Sequence, residues 1–203
     1  TLHVLLPALI GVLKSDASIK TKQELAESLW SIQAIEPKYF NHAKNIPALV
    51  TVVKDLRDKL DGADESHKKS VISTLRALVR AIPTIPVGQT ATPPVDIFAD
   101  SGVITALAEK TVRDRSINVM LDASTALREL AFRASKSPSL VHEFAQKNII
   151  KKLLDLIKFT RKHIKAPQYT WPLQTLRYLE VNAIETLHVL LPALIGVLKS
   201  DAS

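Results

Sequence analysis

The sequence contains 203 residues, of which 46% are hydrophobic and 23% are charged, and its formal net charge is +7. Because it has no cysteine, disulfides, thiolate metal sites and cysteine nucleophiles are excluded. The five glycines and the 5% of aromatic residues do not favour a sheet-rich fold, and no apolar run approaches the roughly 18 residues that span a bilayer.

Apolar residues recur at the helical spacing of i, i+3, i+4 and i+7 along nearly the whole chain. No stretch alternates at period two, so the pattern predicts an all-α fold. In chain order, the apolar stripes cover 5–13, 25–35, 46–56, 71–79, 103–111, 121–130, 149–157 and 173–179.

Polar turns separate these stripes. "KSDAS" (Lys14–Ser18) and "LDGADES" (Leu60–Ser66) contain residues that favour helix N-caps. The stretch Ala81–Val95 contains four prolines and a glycine, which exclude a regular helix. We therefore predict an exposed proline-rich loop at 83–94, and a disordered insertion is the simplest interpretation of it.

The helices follow a repeating order of a short helix, a medium apolar helix and a longer one. When the medium helices are aligned, the equivalent residues are Pro7, Pro47, Thr105, Lys151 and Pro192. The longest of the four steps between them, from Pro47 to Thr105, contains the proline-rich loop. A three-helix period of about 40 residues is typical of α-solenoids.

One segment occurs twice without a change, because residues 186–203 duplicate residues 1–18. The offset between the copies equals the offset between Pro7 and Pro192, so the duplication falls on the repeat register. Three explanations remain open: a window from a longer array of 185-residue modules, an engineered or permuted chain, or an isolated terminal duplication. We expect the first, with neighbouring modules covering the apolar helices at both ends.

Two segments, "NIPALVTVVKDL" and "LLPALIGVLKSDAS", resemble the second helix of armadillo repeats. That family usually has a glycine at the corner before this helix; here Gly102 takes the place in one unit, and Asn45 and Asn148 take it in two others. Asparagine is the next-best residue for a left-handed corner. The resemblance implies a right-handed α-solenoid of about four armadillo-like repeats.

The whole chain, residues 1–203, is then one solenoid. Its units cover approximately 1–35, 36–82, 94–134, 137–182 and, as a partial unit, 183–203. In nuclear-import adaptors of the armadillo family, the third helices carry a ladder of Trp and Asn that grips basic peptides. Trp30 and Trp171 are out of register with each other, so we do not expect that function here.

Two groups of residues are candidate binding sites. Predicted contacts between modules are Leu5, Leu9, Val12, Leu190, Leu194 and Val197. A basic cluster is a candidate site for an acidic partner, although it could equally be the solvated face of one helix. The cluster contains Lys147, Lys151, Lys152, Lys158, Arg161, Lys162 and Lys165.

No catalytic signature is found. Ser139, His142 and Glu143 lie within one helical turn and lack a nucleophile elbow, and no histidines have metal-ligand spacing. We therefore expect a protein that is not an enzyme and that needs no cofactor or metal.

The predicted function is a structural or scaffolding segment of a large tandem-repeat protein, which acts as a spacer, tether or linker of the cytoskeleton or a flagellum. The main alternative is an armadillo adaptor that binds an acidic or extended peptide; a regulatory solenoid associated with an enzyme is a third. The expected partners are neighbouring identical modules, or an acidic peptide or cytoskeletal surface. Few aromatic residues accompany the basic cluster, which disfavours nucleic acid. The absence of cysteine fits a cytoplasmic location.

Overall fold

The computed structural model describes residues 2–35, 45–61, 64–82, 94–99, 101–134, 137–144, 146–163, 175 and 195, and these residues form helices joined by turns. These residues contain no strand, which confirms the all-α prediction. The α-helices are α1 (Leu2–Lys14), α2 (Ile19–Ile35), α3 (Asn45–Asp58), α4 (Glu65–Ala81), α5 (Val103–Arg113), α6 (Ile117–Ala134), α7 (Pro138–Phe144) and α8 (Lys147–His163). Two 3-10 helices cover Lys59–Asp61 and Pro94–Phe98.

Side-chain caps fix the starts of several helices. The Ser18 hydroxyl accepts the Thr21 N–H at 3.1 Å before α2, and the Asp64 carboxylate accepts the His67 N–H at 2.7 Å before α4. A cap supplies an acceptor for an N–H that has no partner within the helix, which is worth about 1 kcal/mol. The two predicted polar turns therefore work as helix starts.

The corner before α5 has the left-handed backbone that its glycine predicts. Gly102 has a φ of +72°, and a side chain there would meet Arg57, whose Nη1 donates to the Ser101 carbonyl at 2.6 Å. The same prediction is wrong for Asn45 and Asn148, since no other described residue has a positive φ and both asparagines lie within helices. Asn45 begins α3, and Asn148 is the second residue of α8. At a helix start, asparagine adopts the helical backbone and no left-handed corner is needed.

Most of the predicted proline-rich loop, residues 83–93, lies outside the described residues, and Pro94 begins the 3-10 helix Pro94–Phe98. The chain divides within α5 into two compact units, Thr1–Ala106 and Leu107–Ser203.

The first unit contains two helix pairs that stack on each other. Helix α1 packs against α2, and α3 packs against α4; in addition, α1 packs on α3 and α2 packs extensively on α4. The buried side chains of this stack include Leu6, Ile10, Leu13, Leu29, Val52, Leu56, Leu75 and Leu78. Helices that are equivalent in the predicted register, such as α1 and α3, are thus in contact.

A buried lysine ties α2 to α3. The Lys22 side chain is only 1% exposed, and its Nζ donates to Asp55 Oδ2 at 3.2 Å; Lys59 Nζ donates to the same oxygen at 2.9 Å. Partial burial raises the pKa of Asp55, but the hydrogen bonds from Lys59 and Lys22 outweigh it, so that the pKa lies below its ordinary value. The hydrogen bond to Asp55 raises the pKa of Lys59 in turn.

The second unit has its own apolar core. Helix α6 packs against α7, and Phe144 and Leu153 are fully buried. Lys152 Nζ on α8 lies 2.6 Å from Glu109 Oε1 on α5, and this ion pair joins two helices that are distant in sequence.

Candidate interaction surfaces

Helix α1 has apolar residues on its outer side as well as on its inner side. Every residue from Leu5 to Leu13 is apolar, and Leu6, Ile10 and Leu13 are buried. Leu5 and Val12 are nevertheless 44% and 40% exposed, and Leu9 between them is half-buried. A helix that is apolar all round normally lies in an interior, so this outer side is a candidate interaction surface.

We call the residues Leu5, Ala8, Leu9 and Val12 the α1 stripe. Their spacing places them along one line of the helix, and Ala8 is exposed like Leu5 and Val12. Gly11, beside the stripe, has open space where a side chain would lie. Its lack of a side chain allows a neighbouring helix to approach closely.

The sequence prediction named Leu5, Leu9 and Val12 of this surface and omitted Ala8 and Gly11. A signal for the wider surface was present, because the only polar residues of α1 are His3 and Lys14.

The structure describes one residue of the second copy of the duplicated segment, and the exposure of this residue differs from that of its counterpart in α1. Ile195 is helical and 43% exposed, whereas Ile10, its equivalent in the first copy, is 3% exposed. The three predicted contact residues Leu190, Leu194 and Val197 lie outside the described residues. The same isoleucine of the same repeated sequence is therefore a core residue in one copy and a surface residue in the other.

The predicted basic cluster is described only in part. Lys151 is exposed on α8, whereas Lys152 is half-buried and paired with Glu109. The pairing removes one of the seven charges from the set available to an acidic partner. Lys165 lies outside the described residues, and the side chains of the other four members are not described; these are Lys147, Lys158, Arg161 and Lys162.

An aromatic residue lies on the surface where α2 and α4 meet. Trp30 on α2 is partly exposed, and the guanidinium carbon of Arg80 on α4 lies 5.7 Å from the centre of its ring, within the range of a cation–π contact. Trp171 lies outside the described residues.

The described residues hold no group of three or more histidine or acidic side chains that could bind a metal ion. Ser139, His142 and Glu143 all lie on the short helix α7, where Glu143 accepts a hydrogen bond from Gln146 at 3.1 Å. No helix within the described ranges is both long enough and apolar enough to cross a bilayer.

Comparisons with known proteins bear on the fold alone. No protein-family model matches the chain, and no curated protein matches it in sequence. Among solved structures, it is similar to the crystal structure of an engineered protein determined by a structural genomics consortium, with a TM-score of 0.60 and 17% identity. The match covers 93% of this chain and 67% of the engineered protein. The helical fold therefore has a counterpart among solved structures, and at this identity the likeness carries no function.

Proposed function

We propose that the chain is a non-catalytic structural module of a protein in which near-identical 185-residue modules repeat in tandem. One observation carries the proposal: Thr1–Ser18 recurs unchanged as Thr186–Ser203, and this offset equals four steps of the helical register. Independent divergence does not leave so long an identical segment in a chain whose own units share so little sequence.

The proposed architecture is a right-handed α-solenoid of about four armadillo-like repeats. The packing within Thr1–Ala106 supports it, because α1 stacks on α3 and α2 stacks on α4. In a solenoid, equivalent helices of successive repeats form continuous layers, and each repeat contacts only its neighbours. Pro7 on α1 and Pro47 on α3 are equivalent residues of two such neighbours.

Such a module would act through its dimensions. Identical modules in series add a constant length per module, which suits a spacer, a tether or a linker along the cytoskeleton or a flagellum. Surface recognition rather than chemistry would then be its means of action.

The alternative is an adaptor that binds an acidic peptide on the basic side of α8. The net charge of +7 and the exposed Lys151 favour it, while the Lys152–Glu109 pair counts against it. Replacing Lys151 and Lys158 with glutamate should abolish capture of a polyglutamate peptide if the adaptor function is correct, and it should change nothing if the cluster is only a solvated face.

The proposed function is tested by the dimensions of longer chains. We define the two-module chain as residues 1–203 followed directly by a second copy of residues 19–203, and the three-module chain as its continuation. X-ray scattering should give a maximum dimension that grows by the same increment with each added module. Growth of the radius of gyration as a low power of chain length, about N^0.38 for a compact particle, would overturn the spacer function.

The gene provides a second test. Sequencing through it should show the 185-residue module repeated in tandem, and a gene that holds the module once would end the array proposal.

A further inference from the structure

We infer that the duplicated segment is a joint helix, at which two copies of this module meet and bury its two apolar sides. One side contains Leu6, Ile10 and Leu13. It is covered by the α2 and α3 that follow the segment in sequence, which for the second copy of the segment belong to the next module. The other side, the α1 stripe, is covered by the copy that precedes. The inference rests on the proposed tandem array and adds to it the partner and the contact surface of each side.

The first argument is the contrast between Ile10 and Ile195. The two residues have the same sequence around them, so the difference between 3% and 43% exposure reflects what lies over them. In the first copy, α1 packs against α2 and α3, both of which come after the segment in sequence. A following copy would supply the same two helices, beginning with "IKTKQELAESLW", to cover Ile195.

The second argument is the α1 stripe. A helix that is apolar all round normally lies in an interior, yet this side of α1 is partly exposed. Equivalent medium helices of successive units stack on each other, as α1 does on α3. The step from Lys151 on α8 to its equivalent Pro192 in the duplicated segment is almost the same as the step from α1 to α3. By this register, α8 of a preceding copy is the medium helix that covers the α1 stripe.

The third argument is energetic. Covering the exposed parts of Leu5, Leu9 and Val12 removes apolar surface from water, and Gly11 lets the neighbouring helix come close. Other exposed apolar residues, such as Ile117 and Phe132, lie near opposite ends of α6 and form no stripe. On the described part of the chain, we therefore assign the α1 stripe as the surface that a second copy covers.

The test uses single cysteines, because the chain has none of its own. Ile195→Cys, Ile10→Cys and Ile117→Cys are each introduced into the 203-residue chain and into the two-module chain. The rate of reaction with a disulfide reagent then measures how often each position is open to solvent.

In the 203-residue chain, Ile195→Cys and the exposed control Ile117→Cys should react quickly, and Ile10→Cys should react about 100-fold more slowly. In the two-module chain, Ile195→Cys should slow to the rate of Ile10→Cys, while Ile117→Cys keeps its rate. Urea unfolding curves of Ile195→Cys and Ile117→Cys that match the curve of the unsubstituted chain would show that cysteine at these exposed positions has not disturbed the fold. Ile10→Cys shortens a buried side chain and should unfold at a lower urea concentration, so its reaction rate is measured in the absence of urea, where the chain is folded.

A fast Ile195→Cys in the two-module chain would overturn the joint helix, because it would show that a second copy does not cover this side. If the scattering increment is still constant, the spacer function survives that failure. If instead Ile195→Cys is protected but the gene holds one module, the joint contact stands and the proposed function fails.

Discussion

Helices α1 and α3 are equivalent in the predicted repeat register and pack on each other, yet they differ in which sides they expose. Among the α3 side chains that the structure describes, the exposed ones are Pro47, Thr51, Lys54 and Asp58, which form one narrow and mostly polar edge. On α1, the exposed region also includes the α1 stripe. Val52 is fully buried, whereas Val12, its equivalent on α1, is 40% exposed.

This difference indicates that the side of the helix with Val12 in α1 and Val52 in α3 is the side that a neighbouring repeat buries. Leu49 is buried where its equivalent Leu9 is only half-buried, in agreement with the two valines. Helix α3 is covered by its neighbours on both flanks, and α1 is covered on one. The residues compared are the same in both helices, namely leucine at 9 and 49 and valine at 12 and 52. The layers around each helix therefore decide whether these apolar residues lie in the core.

The strongest test of this comparison is to introduce a charge at each of the two equivalent valines. Val52→Asp should destabilise the fold by about 4 kcal/mol or more, because it puts an unpaired carboxylate into a dry interior. Val12→Asp should change the stability of the 203-residue chain by less than about 0.5 kcal/mol. Urea unfolding followed by circular dichroism measures both, and equal losses would mean that Val12 is not a surface residue.

The inner side of α1 should behave like the core of α3. Ile10→Ala removes three carbons from a buried site and should cost about 3 kcal/mol. Ile195→Ala, the same change in the other copy, should cost less than about 1 kcal/mol in the 203-residue chain. The two urea midpoints form a matched pair, and a costly Ile195→Ala would contradict the exposure of that side chain.

A polar contact further distinguishes the two helices. At the position of Asp55 on α3, the segment that contains α1 has Ser15, whose hydroxyl donates only to the nearby Val12 carbonyl at 2.7 Å. Asp55→Asn leaves the buried Lys22 ammonium without its carboxylate, and we expect a loss of about 2 kcal/mol, below the value for a fully buried pair because water reaches Asp55. Ser15→Ala should cost less than about 0.5 kcal/mol. Thermal unfolding compares them, and Lys59→Gln, which removes the half-buried second lysine bound to Asp55, shows how much of the loss belongs to Lys22.

The same contact should give the stability a pH dependence. Because the folded pKa of Asp55 is lowered, its contribution is complete above the unfolded carboxyl pKa of about 3.9 and is lost as the pH falls through the folded value. Because the folded pKa of Lys59 is raised, its contribution is complete below about pH 10.4 and is lost as the pH rises through the folded value.

The stability difference between the unsubstituted chain and Asp55→Asn should therefore be constant from about pH 5 to 9 and should shrink in acid. Urea midpoints at a series of pH values measure it. A difference that does not shrink as the pH is lowered through the acid range would show that the charge of Asp55 is not what stabilises the contact.

Features set by neighbouring residues could be predicted from the sequence. The apolar period predicts the helices, and "KSDAS" and "LDGADES" predict the caps at Ser18 and Asp64 because a cap needs only a short polar side chain three residues before an N–H. Gly102 is predicted for a similar reason, since it alone adopts the left-handed corner without steric cost. The repeat register, the solenoid and the module array remain predictions beyond these local features.

Features set by distant residues were missed. Lys22 lies on the apolar side of α2, two turns before Leu29, but nothing local identifies the distant Asp55 as its partner. The bond from Arg57 to the Ser101 carbonyl likewise joins distant parts of the chain and has no sequence signal. The different exposure of Ile10 and Ile195 is an extreme case, because identical sequences cannot predict different burial.

The cap at Ser18 has a consequence for inheritance. Ser18 is the last residue of the duplicated segment, and its hydroxyl caps the start of α2. Each copy of the segment therefore contains the residue that caps the next helix. In an array, recombination between two identical copies of this segment would add or remove whole modules and leave each junction unchanged. The number of modules could then vary between alleles while every helix keeps its start.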